Sequence, residues 1–516
     1  MPVLNKPSNL AEQLLYQNGL DEALPIYEFN GHTISRYQLK EDVSRKALRL
    51  STHFSPGDKV LICLNDSPSL VSLFLACIAI GAIPAVINPR CRDITLENII
   101  STGNAKALFA LPTREFGARI TANIKIFTDE NADHVNFSDF GLNCDSLDGL
   151  APSEFHQQSE DCCAYLQYTS GSTGIPKAVM HSTRSTLSFC QAVALDYLDA
   201  KPTKRSYSVP RMFFGYGMGN SIFFPLYAGL HAYLHTSWPT PELAAHTVES
   251  FDPSYFFAVP SIYRHLQLHA HCLSRVEIAV SAGAPLPEPE YAFWRKQGLH
   301  LRDGLGTTEM GHIFMAQPHS LNDYSCAGEP LAGFHCKIVD SSGRIVIHSD
   351  EEGDLFVQGP SMALGYMGQP EETRSRFMNG WYRTGDRVCR DKNGYFHFRG
   401  RADDLFKVKG RWVTPQAIET RLLSRFSSVS EAALVASSPS NDLHPPTLFL
   451  VGDHISEALL TEIKQWLKQE FESPMVPRSV LVVDSLPRND NGKVERKAIA
   501  QLAHEELHNY LQGEAV

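Results

Sequence analysis

The chain has 516 residues, with 46 Lys+Arg against 57 Asp+Glu and a formal net charge of -11. At roughly 150 residues per domain this length suggests about three or four structural units, and a core large enough to need no disulfide staple. A composition of 43% hydrophobic and 20% charged residues excludes a disordered or fibrous chain, and the acidic balance argues against a nucleic-acid partner, which needs a basic face.

The 11 Cys are odd in number and scattered, with no C-x-x-C pair. That argues against a structural zinc site and suits a reducing cytosol. Cys162 and Cys163 read as strand residues. The N-terminus lacks an apolar core of signal-peptide length. The longest apolar stretch, Leu73 to Ile87, covers about 15 residues, short of the roughly 20 that span a bilayer. The expectation is a cytoplasmic enzyme with no membrane span; monomer and homodimer both stay open.

In chain order, Thr33 is placed to cap a helix running to Leu50, because apolar residues recur after it at helical spacing. Val60 to Leu64 reads as a strand, the following apolar run as a buried helix ending at Gly81, and Ile83 to Pro89 as a second strand. The same order recurs at 105–111 and 124–129, which signals a parallel α/β sheet. RSYSVP, AYLHT, YFFAVP and EIAVSAG continue the strands, with helical stretches such as PELAAHTVESF between them. From Gly328 the segments turn at Gly with few helices between, which predicts a small β-rich subdomain of hairpins. After Arg401 the pattern becomes a compact α+β tail with an amphipathic helix at ALLTEIKQWLKQEF. The boundary is placed near Asp403, giving domains 1–402 and 403–516.

Five segments carry chemistry. In YTSGSTGIPKAVMH, Tyr168 to His181, Gly and hydroxyl residues crowd before Lys177. Gly lets backbone N–H groups turn inward, and hydroxyls and an ammonium add donors, as a polyphosphate requires. The Walker spacing is absent, and a polar surface loop is the plain alternative. SAGAPLP (Ser281 to Pro287) and RDGLGTTEMGHIF (Arg302 to Phe314) join a strand to a small-residue turn where a planar base can lie. There Glu309 offers a hard oxygen ligand for Mg²⁺, or an acidic first turn of a capped helix. In GWYRTGDRV, Asp386 is either a ribose acceptor or an Asx turn. In FRGRADDLFKVKGRW, Arg401 can reach ribose or phosphate, and Asp403 stands where the composition changes; a charged linker is the alternative. In LPRNDNGKVERKAI, Lys493 follows an Asn-Asp-Asn-Gly turn, a place where most lysines are merely solvated.

Taken in this order and spacing, the five segments identify a resemblance that covers essentially the whole chain. It resembles the acyl-adenylate-forming (ANL) superfamily of acyl- and aryl-CoA synthetases, firefly-type luciferases and peptide-synthetase adenylation domains. PRMFFGYGMGNSIFFPLYAG and GLGTTEMGHIF look most like its benzoate/hydroxybenzoate-CoA ligase branch. The resemblance implies an α/β fold: a large N-terminal AMP-binding domain of two α/β sheet lobes plus a small β-barrel, capped by a mobile α+β C-terminal domain. It implies ATP-dependent conversion of a carboxylate to an acyl-adenylate and pyrophosphate, then attack by a thiol with loss of AMP. The substrates and cofactors implied are ATP, Mg²⁺ and coenzyme A.

By the same resemblance, Thr169, Ser170, Gly171, Ser172, Thr173, Gly174 and Lys177 hold the β- and γ-phosphates. Thr308 bonds the α-phosphate and Glu309 binds Mg²⁺. Gly283, Ala284, Asp303 and Gly304 line the adenine slot, and Asp386 and Arg401 hold the ribose. Lys493 bridges the carboxylate and the α-phosphate, Asp403 is the hinge, and Gly410 approaches the pantetheine channel. Phe214, Gly215, Tyr216, Phe224, Gly306, His312 and Ile313 form the acid pocket.

Two positions depart from the pattern. Leu305 stands where many relatives stack a Tyr on adenine, although the benzoate branch is aliphatic there. Met475 stands where many CoA ligases of the branch are basic, which leaves open an aryl-acid adenylating enzyme that loads the phosphopantetheine thiol of an acyl carrier protein.

An apolar, aromatic slot suits an aryl carboxylic acid. Phe213-Phe214 stands where amino-acid-activating relatives place an Asp, and an ammonium without that partner is costly to bury. Gly215 leaves room for a ring substituent. The expected acid is benzoate or a hydroxybenzoate, with His312 either bonding a ring hydroxyl or simply packed.

Overall fold

The computed structural model describes residues 7–16, 20–111, 113–128, 149–169, 176–321, 326–436, 446–452, 454–489 and 493–511. Contacts divide the chain into two compact units. Met1–Leu286, Glu290–Cys336 and Phe356–Arg383 form one; Pro287–Pro289, Lys337–Leu355 and Thr384–Val516 form the other.

The first unit begins its large sheets with β1 (Pro25–Phe29) and β2 (His32–Ser35), followed by helix α1 (Arg36–Leu50). The expected cap at Thr33 is displaced. Thr33 lies in β2, its hydroxyl donating to Glu28 at 2.8 Å. Ser35 caps α1 instead, its hydroxyl accepting from Gln38 N while the Gln38 side chain returns to the Ser35 N–H. Such a reciprocal box satisfies two orphan donors, which a lone Thr further upstream does not.

Strand β3 (Lys59–Cys63), helix α2 (Pro68–Ala79) and strand β4 (Ile83–Val86) follow, then β5 (Ala107–Ala110) and β6 (Lys125–Thr128). Every residue of α2 except Ser69 is buried, as an all-round apolar helix must be. The antiparallel pair β7 (Cys163–Thr169) and β8 (Lys177–Ser182) completes this lobe. Cys163 begins β7, whereas Cys162 is exposed in the preceding turn, so only one of the two cysteines is a strand residue.

The other lobe uses β9 (Arg205–Ser208), helix α3 (Gly215–Met218), β10 (His231–Tyr233), helix α4 (Pro241–Phe251), β11 (Tyr255–Ala258), β12 (Ile278–Ala282), β13 (Leu301–Gly306), β14 (Ile313–Ala316) and β15 (Glu329–Pro330). Then come β16 (His335–Val339), β17 (Gly353–Gln358), β18 (Gly365–Tyr366), helix α5 (Pro370–Arg376), β19 (Phe377–Met378), β20 (Trp381–Arg390) and β21 (Phe396–Arg401).

Two mixed sheets result. The 9-stranded one has the order β15-β14-β13-β12-β11-β9-β10-β1-β2, and the 7-stranded one β18-β8-β7-β4-β3-β5-β6. Their interiors are parallel, as the strand–helix–strand alternation predicts. The β-rich segment after Gly328 forms a 5-stranded sheet of order β16-β17-β20-β19, with β21 paired to β20. Closure of these strands into the expected small barrel is not seen among the described residues.

The second unit ends in a hairpin of β22 (Phe406–Val408) and β23 (Arg411–Val413), then α6 (Pro415–Arg425), β24 (Glu431–Val435), β25 (Thr447–Val451), α7 (Glu457–Glu470), β26 (Ser479–Val482) and α8 (Arg496–Leu511). Leu422 of α6, Leu448 of β25 and Leu467 of α7 meet in its core. No helix among the described residues is long and apolar enough to cross a membrane.

Candidate active site

Thr169 and Lys177 face each other in register at the open end of the β7–β8 ladder. Ser170, Gly171, Ser172, Thr173 and Gly174, expected to cradle phosphate, lie outside the described residues. Lys177 is 11% exposed and pairs with Glu372 of α5. Its ammonium also lies 5.2 Å from the centre of the Tyr366 ring. The Lys177 bond holds the Glu372 carboxyl below its usual range.

The C-terminal ends of the parallel strands β12 and β13 stand side by side, with Ser281 opposite Asp303 and Ala282 opposite Gly304. Crevices at such strand ends are where ligands bind in α/β sheets. Gly283 turns outward at φ +89°, a left-handed conformation that favours glycine, and it and Ala284 are exposed. Asp303 ties the two strand ends together. Its carboxylate accepts from Leu286 N and Gly304 N, both at 3.1 Å, and burial pushes its carboxyl up to about 7.

Just past β13, Thr308 and Glu309 share a single turn of 3₁₀-helix. Glu309 is 7% exposed. Its Oε1 accepts from the Tyr366 hydroxyl at 2.7 Å, and its carbonyl accepts from Ala363 N at 2.8 Å. The Thr308 carbonyl faces His181 Nε2 of β8 at 2.9 Å. A carbonyl only accepts, so Nε2 carries the proton. Burial pushes the His181 imidazole down to about 4, keeping it neutral. His181, Tyr366 and Glu372 escape sequence reading as site residues. His181 ends a motif already singled out, and its inward place on β8 is the signal that marks it.

Residues expected to form the acid pocket gather around the next turn. Tyr216 and Phe224 place their rings 5.3 and 4.7 Å from the His312 ring. The Tyr216 hydroxyl is tied to the Val280 carbonyl at 2.7 Å. Ile313 is 2% exposed, and a methyl on Gly304 would lie 3.1 Å from its Cγ2. A methyl on Gly306 would sit 2.7 Å from the His312 carbonyl. Gly215 begins α3 and Phe214 caps it, both half-buried. Burial pushes the His312 imidazole down to about 3.

In the second unit, Asp386 of β20 lies opposite Arg401 of β21. Arg401 Nη1 donates to Asp386 Oδ1 at 2.7 Å and to the Thr384 carbonyl at 3.2 Å. The two residues expected at the ribose are thus one prebuilt pair, with Asp386 only 3% exposed. Asp403 is exposed in the short turn that follows. Lys409 and Gly410, at φ +50° and +78°, join β22 to β23, the two positive φ values of a type I′ turn. A methyl at Gly410 meets nothing within 4 Å.

Lys493 is exposed. Its backbone N–H donates to Asn489 Oδ1 at 3.1 Å and its carbonyl accepts from Asn489 N at 2.9 Å. Three residues later Arg496 is anchored by both oxygens of Glu419, at 2.8 and 2.6 Å, and by Asp404 at 3.1 Å. Met475, the position expected to be basic in a CoA ligase of this branch, packs against this unit's core.

Residues 15–367 match the AMP-binding enzyme family. The chain belongs to that family. Residues 418–493 match the AMP-binding enzyme C-terminal domain, so the acyl-adenylate-forming resemblance stands. The AMP-binding enzyme is 42% identical to an anthranilate–CoA ligase of Pseudomonas aeruginosa, across 98% of this chain and 99% of that protein. It is 30% identical to a benzoate–CoA ligase of Thauera aromatica, across 95% of each. Among solved structures it matches a benzoate CoA ligase from Burkholderia xenovorans LB400 at 26% identity and TM-score 0.83, covering 96% of this chain and 100% of that one. These named relatives are acid–thiol ligases, and the present chain is an enzyme of that class.

Proposed function

We propose that this enzyme activates a benzoate-type aryl acid with ATP and transfers the resulting aroyl group to the thiol of coenzyme A. One juxtaposition carries the reading. The Thr308–Glu309 turn at the end of β13 runs directly into an aromatic pocket built on Tyr216, Phe224 and His312. A strand end of the kind that binds nucleotides and a cluster of aromatic side chains thus share one segment. The three CoA ligases named above act, by their names, on benzoate or anthranilate, its amino derivative. An aryl amine is uncharged at neutral pH, so anthranilate needs no pocket carboxylate, in keeping with Phe213-Phe214.

A carboxylate is a poor electrophile, because its carbonyl carbon is shielded by charge and its leaving group is oxide. In the first step a carboxylate oxygen attacks the α-phosphorus of ATP and pyrophosphate departs. In the second the thiol sulfur attacks the carbonyl carbon and AMP departs. Thr308 bonds the α-phosphate, and Lys177 with residues 169–174 holds the outer phosphates. Gly283, Ala284, Asp303 and Gly304 line the adenine slot, while Asp386 and Arg401 take the ribose. Lys493 places positive charge where negative charge grows in the transition state.

Glu309 suits Mg²⁺, being a buried carboxylate with one oxygen pinned by Tyr366. A lone carboxylate leaves most of the coordination of such a cation to phosphate oxygens and water. Bound with ATP, Mg²⁺ neutralises phosphate charge. The domains divide at 402/403, with Asp403 as hinge and Gly410 lining the thiol channel, a gating motion rather than chemistry.

The test is pyrophosphate release with Mg-ATP across aryl, fatty and amino acids, with and without CoA. Release with benzoate-type acids, stimulated by CoA and accompanied by thioester, supports the reading. Slow release indifferent to CoA, relieved by a holo carrier protein, overturns the CoA half of it.

A further inference from the structure

The acid pocket contains buried polar atoms that nothing in the fold satisfies. Gln167 of β7 is 2% exposed and its Nε2 has no partner; His312 is 3% exposed, and the Tyr216 backbone is the one group near enough to engage its ring, leaving at least one ring nitrogen without a partner. Unpaired buried polar groups are costly, and those in native proteins call for an explanation. Two glycines of one helical turn show that these groups share a wall. A methyl on Gly215 would lie 3.2 Å from Gln167 Oε1, and one on Gly219 would lie 2.4 Å from His312 Cδ2 and 2.9 Å from Nε2. Gly215 and Gly219 are four residues apart at the start of this helical segment, so they stack on one face. The Gln167 amide and the His312 imidazole therefore stand one turn apart along the same surface, beside Tyr216 and Phe224.

The position of Gln167 says which part of the ring it meets. It lies two residues before Thr169, about 7 Å along the strand, and is paired with Val179 next to the phosphate-loop flank. That is the end of the pocket where the carboxylate must face the α-phosphate. A group on the ring carbon next to the carboxylate falls within its reach; one at the far end of the ring does not.

We propose that Gln167, together with His312, reads a hydrogen-bonding substituent ortho to the carboxylate, so that the preferred substrate is an ortho-amino or ortho-hydroxy benzoate. The inference rests on the aryl-acid reading above. An amide offers a donor and an acceptor, and a neutral imidazole does the same, which suits an uncharged amine or a hydroxyl. Gly215 is the residue that keeps the space open, since any larger side chain would press on the Gln167 amide and on the Gly311 carbonyl, 3.1 Å from the added methyl.

The experiment compares kcat/KM for benzoate, 2-aminobenzoate, 2-hydroxybenzoate and 4-aminobenzoate, read by pyrophosphate release and thioester with CoA. The wild type is expected to prefer at least one 2-substituted acid over both benzoate and 4-aminobenzoate by about tenfold or more. Which 2-substituted acid leads separates amine from hydroxyl. Gln167→Met keeps length but removes the amide, and should lower the ratio of that acid to benzoate by about tenfold. Gly215→Ala should lower it in the same direction, and it decides the matter if Gln167→Met does not fold by circular dichroism. A wild type with no ortho preference overturns the proposal, as do ratios unmoved in the folded variants. Absence of thioester from every aryl acid instead removes the underlying reading, so the two failures are distinct.

Discussion

The Tyr366 hydroxyl donates a 2.7 Å hydrogen bond to Glu309 Oε1, while its ring faces the Lys177 ammonium at 5.2 Å. One side chain thus touches both the carboxylate suited to Mg²⁺ and the cation at the phosphate-loop flank. Tyr366→Phe keeps the ring and removes one hydrogen bond from the carboxylate, leaving Tyr382 as its remaining side-chain partner. Adenylation is expected to slow by about tenfold, with stability lowered by about 1–3 kcal/mol. A Mg²⁺ titration of pyrophosphate release, with urea unfolding alongside, checks this. An unchanged Mg²⁺ requirement would show that Tyr366 does not orient Glu309.

Glu372 holds the ammonium that ATP is proposed to claim. Glu372→Gln removes that competitor, so KM for ATP should fall about 3- to 10-fold. Glu372 is partly exposed, so the stability lost should be only about 1–2 kcal/mol. Steady-state kinetics at two salt concentrations decide the point. A raised KM would mean that Glu372 positions Lys177 for phosphate rather than withholding it.

Lys493 and Gly410 are proposed to serve different half-reactions. Lys493→Ala should lower adenylate formation by about 100-fold or more and spare thioester formation from supplied aryl-adenylate. Gly410→Trp should do the reverse: its turn has open space, although a side chain at φ +78° strains the backbone by about 1–2 kcal/mol, so folding is checked alongside by circular dichroism. Single-turnover assays of each step test both. Equal losses in the two steps of the Lys493 variant would contradict its assignment.

His312 links pH to stability. Burial depresses its folded value to about 3, below the ordinary 6.5, so the unfolded chain binds the proton more readily. The stability held above about pH 6.5 is then lost as pH falls toward 3, by at most about 1.4 kcal/mol per pH unit. His312→Phe removes the titrating ring. Between pH 7 and pH 4.5 it should lose less stability than the wild type in urea unfolding. Parallel losses would mean that His312 is not held neutral by the fold.

Much of this architecture is legible in residue order. Alternation of apolar strands and helices is a strong local signal; it places β3, β5 and β6 within a residue or two, and overruns the end of β4 by three residues. Caps depend on single hydrogen bonds, so Ser35 and Thr33 two residues apart are hard to tell from sequence. The candidate site divides in the same way. Asp386 and Arg401 stand out as motif residues, but their pairing depends on strand register across β20 and β21. Glu372 lies nearly two hundred positions from Lys177, so no local pattern joins them. Gln167 is hidden for another reason: inside a strand, a Gln reads as a polar residue facing water, and only burial reveals it as an orphan.

Arg496, clamped by Glu419 and Asp404, is a fixed post three residues from Lys493. A side chain on so short a tether does not swing by itself. If adenylation needs Lys493 delivered and then withdrawn, the mass that moves is an entire folded unit pushed through water. Turnover would then carry the friction of the solvent, with kcat falling as sucrose thickens the buffer even though neither bond-breaking step involves bulk water.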